Sequence, residues 1–332
     1  MKKLITVILT LLVASTFAFT QGVNEQKSTD KEKVYTLKIG DVLTEDDPIT
    51  LGLKEMAKNV KERTNGHVLI EVYPSSQLGS TSDMIEQALS GANIGVTADT
   101  GRLADYCPDM AIYTGPYVFT SVENARKFID TDIFKSWDAQ LEDANLVDLS
   151  CNWYQGARNF WTNTPVYTPA DLKGLRIRTM GSTVAQETMK ALGATPAALS
   201  FSEVYSGLQQ KVIDGFEAQT TAVYGQSLNE VSKYSSDTEH FFLYTALIIN
   251  KDWFYSLPSE YQTILKEESV KGGEYATQLV KEVENKYNKE MADKGVTFIH
   301  VDKAPFIEAS KAVYEKMGWT TLKQNIDQEL GQ

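Results

Sequence analysis

From position 34 onward, apolar and polar positions alternate first with the two-residue period of a strand and then with the 3.6-residue period of a helix. Residues 34–40 alternate as a half-buried strand does. Over 48–64, Leu51, Met56 and Val60 fall on one helix face, and Asn65-Gly66 stops the run. Residues 67–73 form a second strand pattern and 74–79 a loop. A helix through Leu89 follows, with Ser82 as its expected cap and Ser90-Gly91 as its end. Residues 94–98 are a third short strand. Strands alternating with helices at this spacing predict an α/β domain with a largely parallel sheet.

The exchange resumes further on. Strands are expected at 146–153 and 175–179, a helix at 182–192 stopped by Gly193, and helical residues at 201–211. The apolar run 241–250 fits a strand buried on both faces. Residues 258–294 differ in kind: rich in Glu, Lys, Gln and Ala and free of proline after the first position, they predict one helix of about 37 residues, about 55 Å long. Gly272-Gly273 in its middle permits a bend. A helix of that length exceeds one small domain and would run along two.

The start of the chain changes the picture of where this happens. Met1-Lys2-Lys3 precedes a mainly apolar stretch over 4–19, shorter than a membrane span, with small residues before Val23. That is the pattern of a cleaved secretory signal over 1–22, followed by a polar leader over 23–33. With no cysteine near the cleavage point a lipid anchor is not expected, and the product should be soluble and periplasmic. The 332 residues hold 32 basic and 44 acidic side chains, a net charge of −12; loss of the two lysines of the signal makes it −14. Such a balance argues against nucleic acid as a partner.

The stock of chemistry is small. No two of His67, His240, His300, Cys107 and Cys151 lie within five residues of each other, so the usual metal spacings are missing and neither metal nor cofactor is expected. The histidines read as ordinary surface or edge residues. Cys107 and Cys151 would close a disulfide loop of about 44 residues or stand as two buried thiols; the lack of a disulfide framework favours thiols. Phosphate-cradling, dinucleotide, nucleophile-elbow and His-Glu-x-x-His motifs are absent from the sequence, and nothing in it signals an enzyme.

Three stretches carry a resemblance: Val68-Leu-Ile-Glu-Val-Tyr-Pro-Ser-Ser-Gln-Leu-Gly79 with Asp83-Met-Ile-Glu-Gln87; Pro169-Ala-Asp-Leu-Lys-Gly-Leu-Arg-Ile-Arg-Thr179; and Ala194-Thr-Pro196 through Phe201-Ser-Glu-Val-Tyr-Ser-Gly-Leu-Gln-Gln210 to Ile213-Asp-Gly215. In order and spacing the chain resembles the DctP family, the solute-binding subunits of tripartite ATP-independent periplasmic (TRAP) transporters. The resemblance implies a two-domain, type II-like periplasmic binding-protein α/β fold with hinge strands and a long helix across both domains. The corresponding division is 34–155 plus 245–284 for domain I and 156–244 plus 285–332 for domain II.

It also implies a site. Arg178 matches the family arginine that forms a two-point salt bridge with a ligand carboxylate; a guanidinium suits this role because its planar fork fits a carboxylate and stays charged when dry. Arg176, two residues earlier, is expected to be solvated. Arg158 matches a second ligand arginine of sialic-acid-binding members, and Asp99 with Arg102 resembles an Ala-Glu-x-x-Arg segment of the same members. Phe201 matches an aromatic that packs on the ligand. Glu217 is kept, but Ala218 stands where many members have an asparagine, which leaves Gln219 and Asn152 as candidate amide donors. Trp153 and Tyr154 are candidates to stack on an apolar sugar face or to pack in the core. The implied function is a monomeric, non-enzymatic receptor that captures an organic acid by hinge closure and delivers it to membrane permease subunits, with uronates, aldonates and sialic acids favoured over four-carbon dicarboxylates. An exported α/β enzyme acting on a small acid and a sensor subunit are the alternatives.

Overall fold

The computed structural model describes residues 33–332; the expected signal segment and all of the leader but Lys33 lie outside the described residues. The first half of the chain runs β1 (Tyr35–Gly40), α1 (Pro48–Arg63), β2 (Val68–Tyr73), α2 (Thr81–Leu89), β3 (Ile94–Asp99), α3 (Val122–Phe128), α4 (Asp132–Asp143), β4 (Leu146–Asp148) and β5 (Trp153–Thr162). It continues through β6 (Arg176–Arg178), α5 (Thr183–Ala191), β7 (Thr195–Ala197), α6 (Val204–Gln209), β8 (Gly215–Gln219), α7 (Thr220–Gly225) and β9 (Tyr234–Asn250). α8 (Lys251–Tyr255), α9 (Ser259–Asp293), β10 (Thr297–Ile299), α10 (Ala304–Lys316) and α11 (Thr320–Leu330) complete it.

Local chemistry sets these boundaries. Asp47 caps α1 by accepting from Ile49 N, and Pro48 takes the first helical position, where no amide donor is needed. The cap of α2 is Ser80 rather than Ser82. Asp83 lies three residues after Ser80, so the Ser80 hydroxyl accepts from Asp83 N while the Asp83 carboxylate accepts from Ser80 N, a reciprocal pair that Ser82 cannot make. Residues 146–153 are not one strand: β4 ends at Asp148 and β5 begins at Trp153.

The strands form a mixed sheet in the order β2-β1-β3-β9-β5-β8-β6-β7, with β4 and β10 on β9. β1, β2 and β3 are mutually parallel, as are β6, β7 and β8. Between these two parallel groups stand β9 and β5, antiparallel to each other and to the groups they join. The sheet is therefore less parallel than the alternation of patterns implies, because strands that pass between halves of the chain must run against both. β9 extends seven residues before the apolar run, from Tyr234, and pairs with β3 at one end and β10 at the other.

α9 is a single helix of 35 residues, about 52 Å at 1.5 Å per residue. Its glycine pair serves close approach: a Cβ at Gly272 would stand 2.8 Å from Trp153 Cη2 and 3.1 Å from Gly52 O, and one at Gly273 would stand 2.6 Å from Asn152 Oδ1. α9 thus lies close against the backbone of α1 at Gly52, while the side chains of Asn152 and Trp153 fill the space that the two glycines leave toward β5. Leu37, Ile39, Leu53, Val60, Leu247 and Leu265 form the core beneath that crossing, and Phe160, Ile177, Met189 and Phe306 a second core under β5 and β6. Cys107 and Cys151 are free thiols, both buried.

Candidate functional site

A cavity of about 220 Å³ opens where the carboxyl ends of the two parallel groups meet, the place where open α/β sheets receive ligands. Asp41 follows β1, Asp99 ends β3, Arg178 ends β6, Leu199 follows β7 and Gln219 ends β8; all line it. β5 contributes Gln155 and Arg158, and β9 contributes Leu243 and Thr245. Gln155 and Arg158 are three apart and would face opposite sides of a regular strand. The β5–β9 register shifts between Tyr154 and Gly156, and Gly156 there takes φ +126°, so the bulge brings both side chains to one face.

The three arginines are held differently. Arg158, only 3% exposed, is gripped by the fully buried Glu217: Nη2 donates to Oε1 at 2.9 Å and to the backbone carbonyl of Glu217 at 2.6 Å, and Nε pairs with Oε2. Nη1 donates to Gln219 Oε1 at 2.7 Å, so one of the five N–H groups is left for the cavity. Arg102 donates from Nε to Asp99 Oδ2 at 2.8 Å and from Nη1 to Ser82 Oγ at 2.7 Å. Arg178 donates from Nε to Leu199 O at 2.9 Å, and its guanidinium carbon lies 5.3 Å from the centre of the Phe201 ring. Its two terminal nitrogens meet no carboxylate among the described residues. Burial without a counter-charge pushes Arg178 down to about 9, despite the more distant field of Glu217.

A chain of side chains fixes the floor. Gln219 Nε2 donates to Gln155 Oε1 at 2.8 Å, and Gln155 Nε2 to Thr245 Oγ1 at 3.3 Å, so Arg158 dictates which way both amides point. Behind it, burial works to raise Glu217, but Arg158 and His240 outweigh that and hold it at about 2. Thr179 donates to its Oε1 at 2.8 Å. His240 is not an edge residue: it is fully buried, stacked on Phe160, with Nε2 3.7 Å from Glu217 Oε2.

The structure brings six of the sequence-derived residues to the cavity, Arg178, Arg158, Arg102, Asp99, Phe201 and Gln219. It does not bring Glu217, Asn152 or Trp153. Glu217 lies behind Arg158, Asn152 donates to Val270 O on α9 at 2.7 Å, and Trp153 fills the core under Gly52 and Gly272. Tyr154 packs on Tyr244. Arg176 turns away to Asp214 at 2.9 Å. Asp41 and Gln155 escaped sequence reasoning; the position of Asp41 directly after a parallel strand was a usable signal, whereas Gln155 arrives only through the bulge.

Residues 39–320 match the family described as bacterial extracellular solute-binding protein, family 7, DctP. The chain belongs to the DctP family of TRAP solute-binding proteins. It is 32% identical to the C4-dicarboxylate-binding periplasmic protein DctP of Rhodobacter capsulatus over 85% of this chain and 86% of that one. Identity to the 2,3-diketo-L-gulonate-binding periplasmic protein YiaO of Escherichia coli is 31%, over 92% of each. Among solved structures, a TRAP solute-binding protein of Actinobacillus succinogenes with bound L-galactonate superposes with TM-score 0.86 at 31% identity, covering 89% of this chain and 99% of that one. One from Fusobacterium nucleatum with sn-glycerol-3-phosphate gives 0.86 at 30%, over 90% and 97%. An apo open structure from Escherichia fergusonii is 40% identical yet gives 0.78, over 89% and 99%. The more similar sequence fits less well: this chain superposes better on these two ligand-bound relatives than on the open one. The fold is the two-domain, type II-like periplasmic binding-protein fold of its neighbours.

Contacts between the halves agree with that arrangement. A Cβ at Gly101, after β3, would stand 2.7 Å from Ser182 Oγ at the start of α5, and one at Gly181 2.9 Å from Arg102 Nη1. On the other flank, a Cβ at Gly225 would stand 2.7 Å from Thr44 Oγ1.

Proposed function

We propose that this protein is the exported periplasmic receptor of a TRAP transporter, which closes on a sugar acid and hands it to membrane permease subunits. The observation that carries the reading is the state of Arg178: buried in the cavity, fixed by Leu199 O, and without an acid of its own. A buried guanidinium lacking a counter-ion is costly, and a ligand carboxylate supplies the missing partner in bidentate geometry. Because the whole chain is strongly acidic, attraction of an anion depends on this local cation rather than on the long-range field. The lobes we assign are 34–155 plus 245–284 and 156–244 plus 285–332, with β5 and β9 as the hinge; ligand touching both lobes favours closure by its differential affinity. Phe201, Gln155 and the remaining N–H of Arg158 position the body of the sugar acid.

The test is a thermal-shift and calorimetric screen against hexuronates, hexonates, sialic acids and dicarboxylates. A stoichiometric complex without chemical change of the ligand by NMR is expected, and Arg178→Ala should remove most of the ligand-induced stabilisation. Full affinity in that variant, or turnover of the bound acid, would overturn the reading.

A further inference from the structure

The two walls of the cavity are unlike in charge. The wall supplied by β6 carries Arg178, which lacks an anionic partner. The wall supplied by β1 and β3 carries two carboxyl groups, each with one oxygen engaged and one orphaned. Asp41 Oδ1 accepts from Leu43 N at 3.0 Å and Asp99 Oδ2 from Arg102, while Asp41 Oδ2 and Asp99 Oδ1 are buried with no hydrogen-bond partner. Both residues line the cavity and both are more than nine-tenths buried.

We infer that Asp41 and Asp99 together read ligand hydroxyls and set the charge of the ligand at one: the site takes an acid with a single carboxylate and a hydroxylated tail, and refuses a second carboxylate at the far end. This deepens, and rests on, the receptor reading above. A buried acceptor without a donor is a standing penalty, and a hydroxyl is the ligand group that removes it. A carboxylate placed there would meet two acceptor-only oxygens and add like-charge repulsion to desolvation. Nor is there a spare cation to offset it, because Arg158 is committed to Glu217 and Arg102 to Asp99. Burial pushes Asp41 up to about 6, which still leaves it ionised at neutral pH. Relatives described as binding a C4-dicarboxylate and relatives described as binding sugar acids stand at nearly equal identity to this chain, so overall similarity does not decide between the classes.

The experiment compares, on the full mature chain at pH 7.5, hexonates and hexuronates with the aldarates of the same hexoses, which differ only by the second carboxylate, and with succinate. For the wild type, every dicarboxylate should bind at least about tenfold more weakly than the best monocarboxylate. Asp41→Asn is isosteric and keeps an acceptor for Leu43 N; it should narrow that ratio by about tenfold. Asp99→Asn provides an independent arm, since it frees Arg102 and should raise aldarate binding outright. Equal affinity of the wild type for aldarate and hexonate, or an unchanged ratio in both variants, overturns the inference while Arg178-dependent binding keeps the receptor reading intact. If no acid binds in an Arg178-dependent way, both fall.

Discussion

Glu217 holds the Arg158 guanidinium from behind, through both carboxylate oxygens and its own backbone carbonyl, and thereby turns the remaining N–H of that arginine toward the cavity. Glu217 is thus a positioning residue. Its value to the site lies in keeping one arginine rigid and neutralised beside another that is rigid and unpaired.

Removing that carboxylate should cost more stability than affinity alone explains. Glu217→Gln leaves a buried guanidinium uncompensated, and about 3–5 kcal/mol of unfolding free energy should be lost in denaturant titrations at pH 7. The pH dependence has a definite sign. Glu217 sits at about 2 in the folded chain against 4.5 for the free group, so its stabilisation is complete above 4.5 and is lost as pH falls toward 2. The slope of wild-type stability across that window should be shallower in Glu217→Gln, the remainder coming from Asp83, Asp171, Asp214 and Glu268, which their own partners also hold low.

Asp41 and Asp47 act in the opposite sense. Burial raises them from 3.8 to about 6 and about 7, and for Asp47 the neighbouring Asp41 adds to the rise. The folded chain therefore holds protons that the unfolded chain releases, and stability present below pH 3.8 is lost as pH rises through 6 to 7, by about 3 kcal/mol for Asp41. The melting temperature of the ligand-free protein should rise between pH 7.5 and pH 5. Asp47→Asn, which can still cap α1, should flatten part of that rise; a profile that falls over this range, or is unchanged in the variant, contradicts the assignment.

The seam between the halves gives a test of closure. At Gly101 an added methyl would press on Ser182 and Val184 across the cleft, at a cost of about 1–3 kcal/mol when the halves meet. Gly101→Ala should weaken ligand binding by about thirtyfold, the affinity equivalent of the middle of that range. Small-angle scattering should show a smaller ligand-induced contraction. An unaltered affinity together with a lowered melting temperature of the ligand-free chain would mean that the contact serves packing alone.

Much of this was legible in the residues. Turn and cap signals located most of the elements, since Asn65-Gly66, Gly193 and Pro258 act locally on the backbone. The long helix was legible from composition. Tertiary pairing was not: the antiparallel placement of β5 and β9 follows from how the halves connect, which no local period encodes. The same gap explains the site. Arg178 stood out through its motif, while Glu217, Asn152 and Trp153 have the chemistry of ligand contacts but are drawn away by Arg158, by Val270 O and by the glycines of α1 and α9. Gln155 enters the cavity only because a bulge changes the parity of its strand, an event invisible to spacing counts.

β9 joins the ladder of β3 at one end and that of β10 at the other, with β5 along most of its length. Because strand side chains alternate between faces, slippage of β9 by a single position would turn Leu243 and Thr245 out of the pocket and exchange the side chains that β9 sends into the cores on its two faces. Correct assembly in one lobe therefore proofreads the other, and a chain that has found its pocket has also found the alignment of everything on either side.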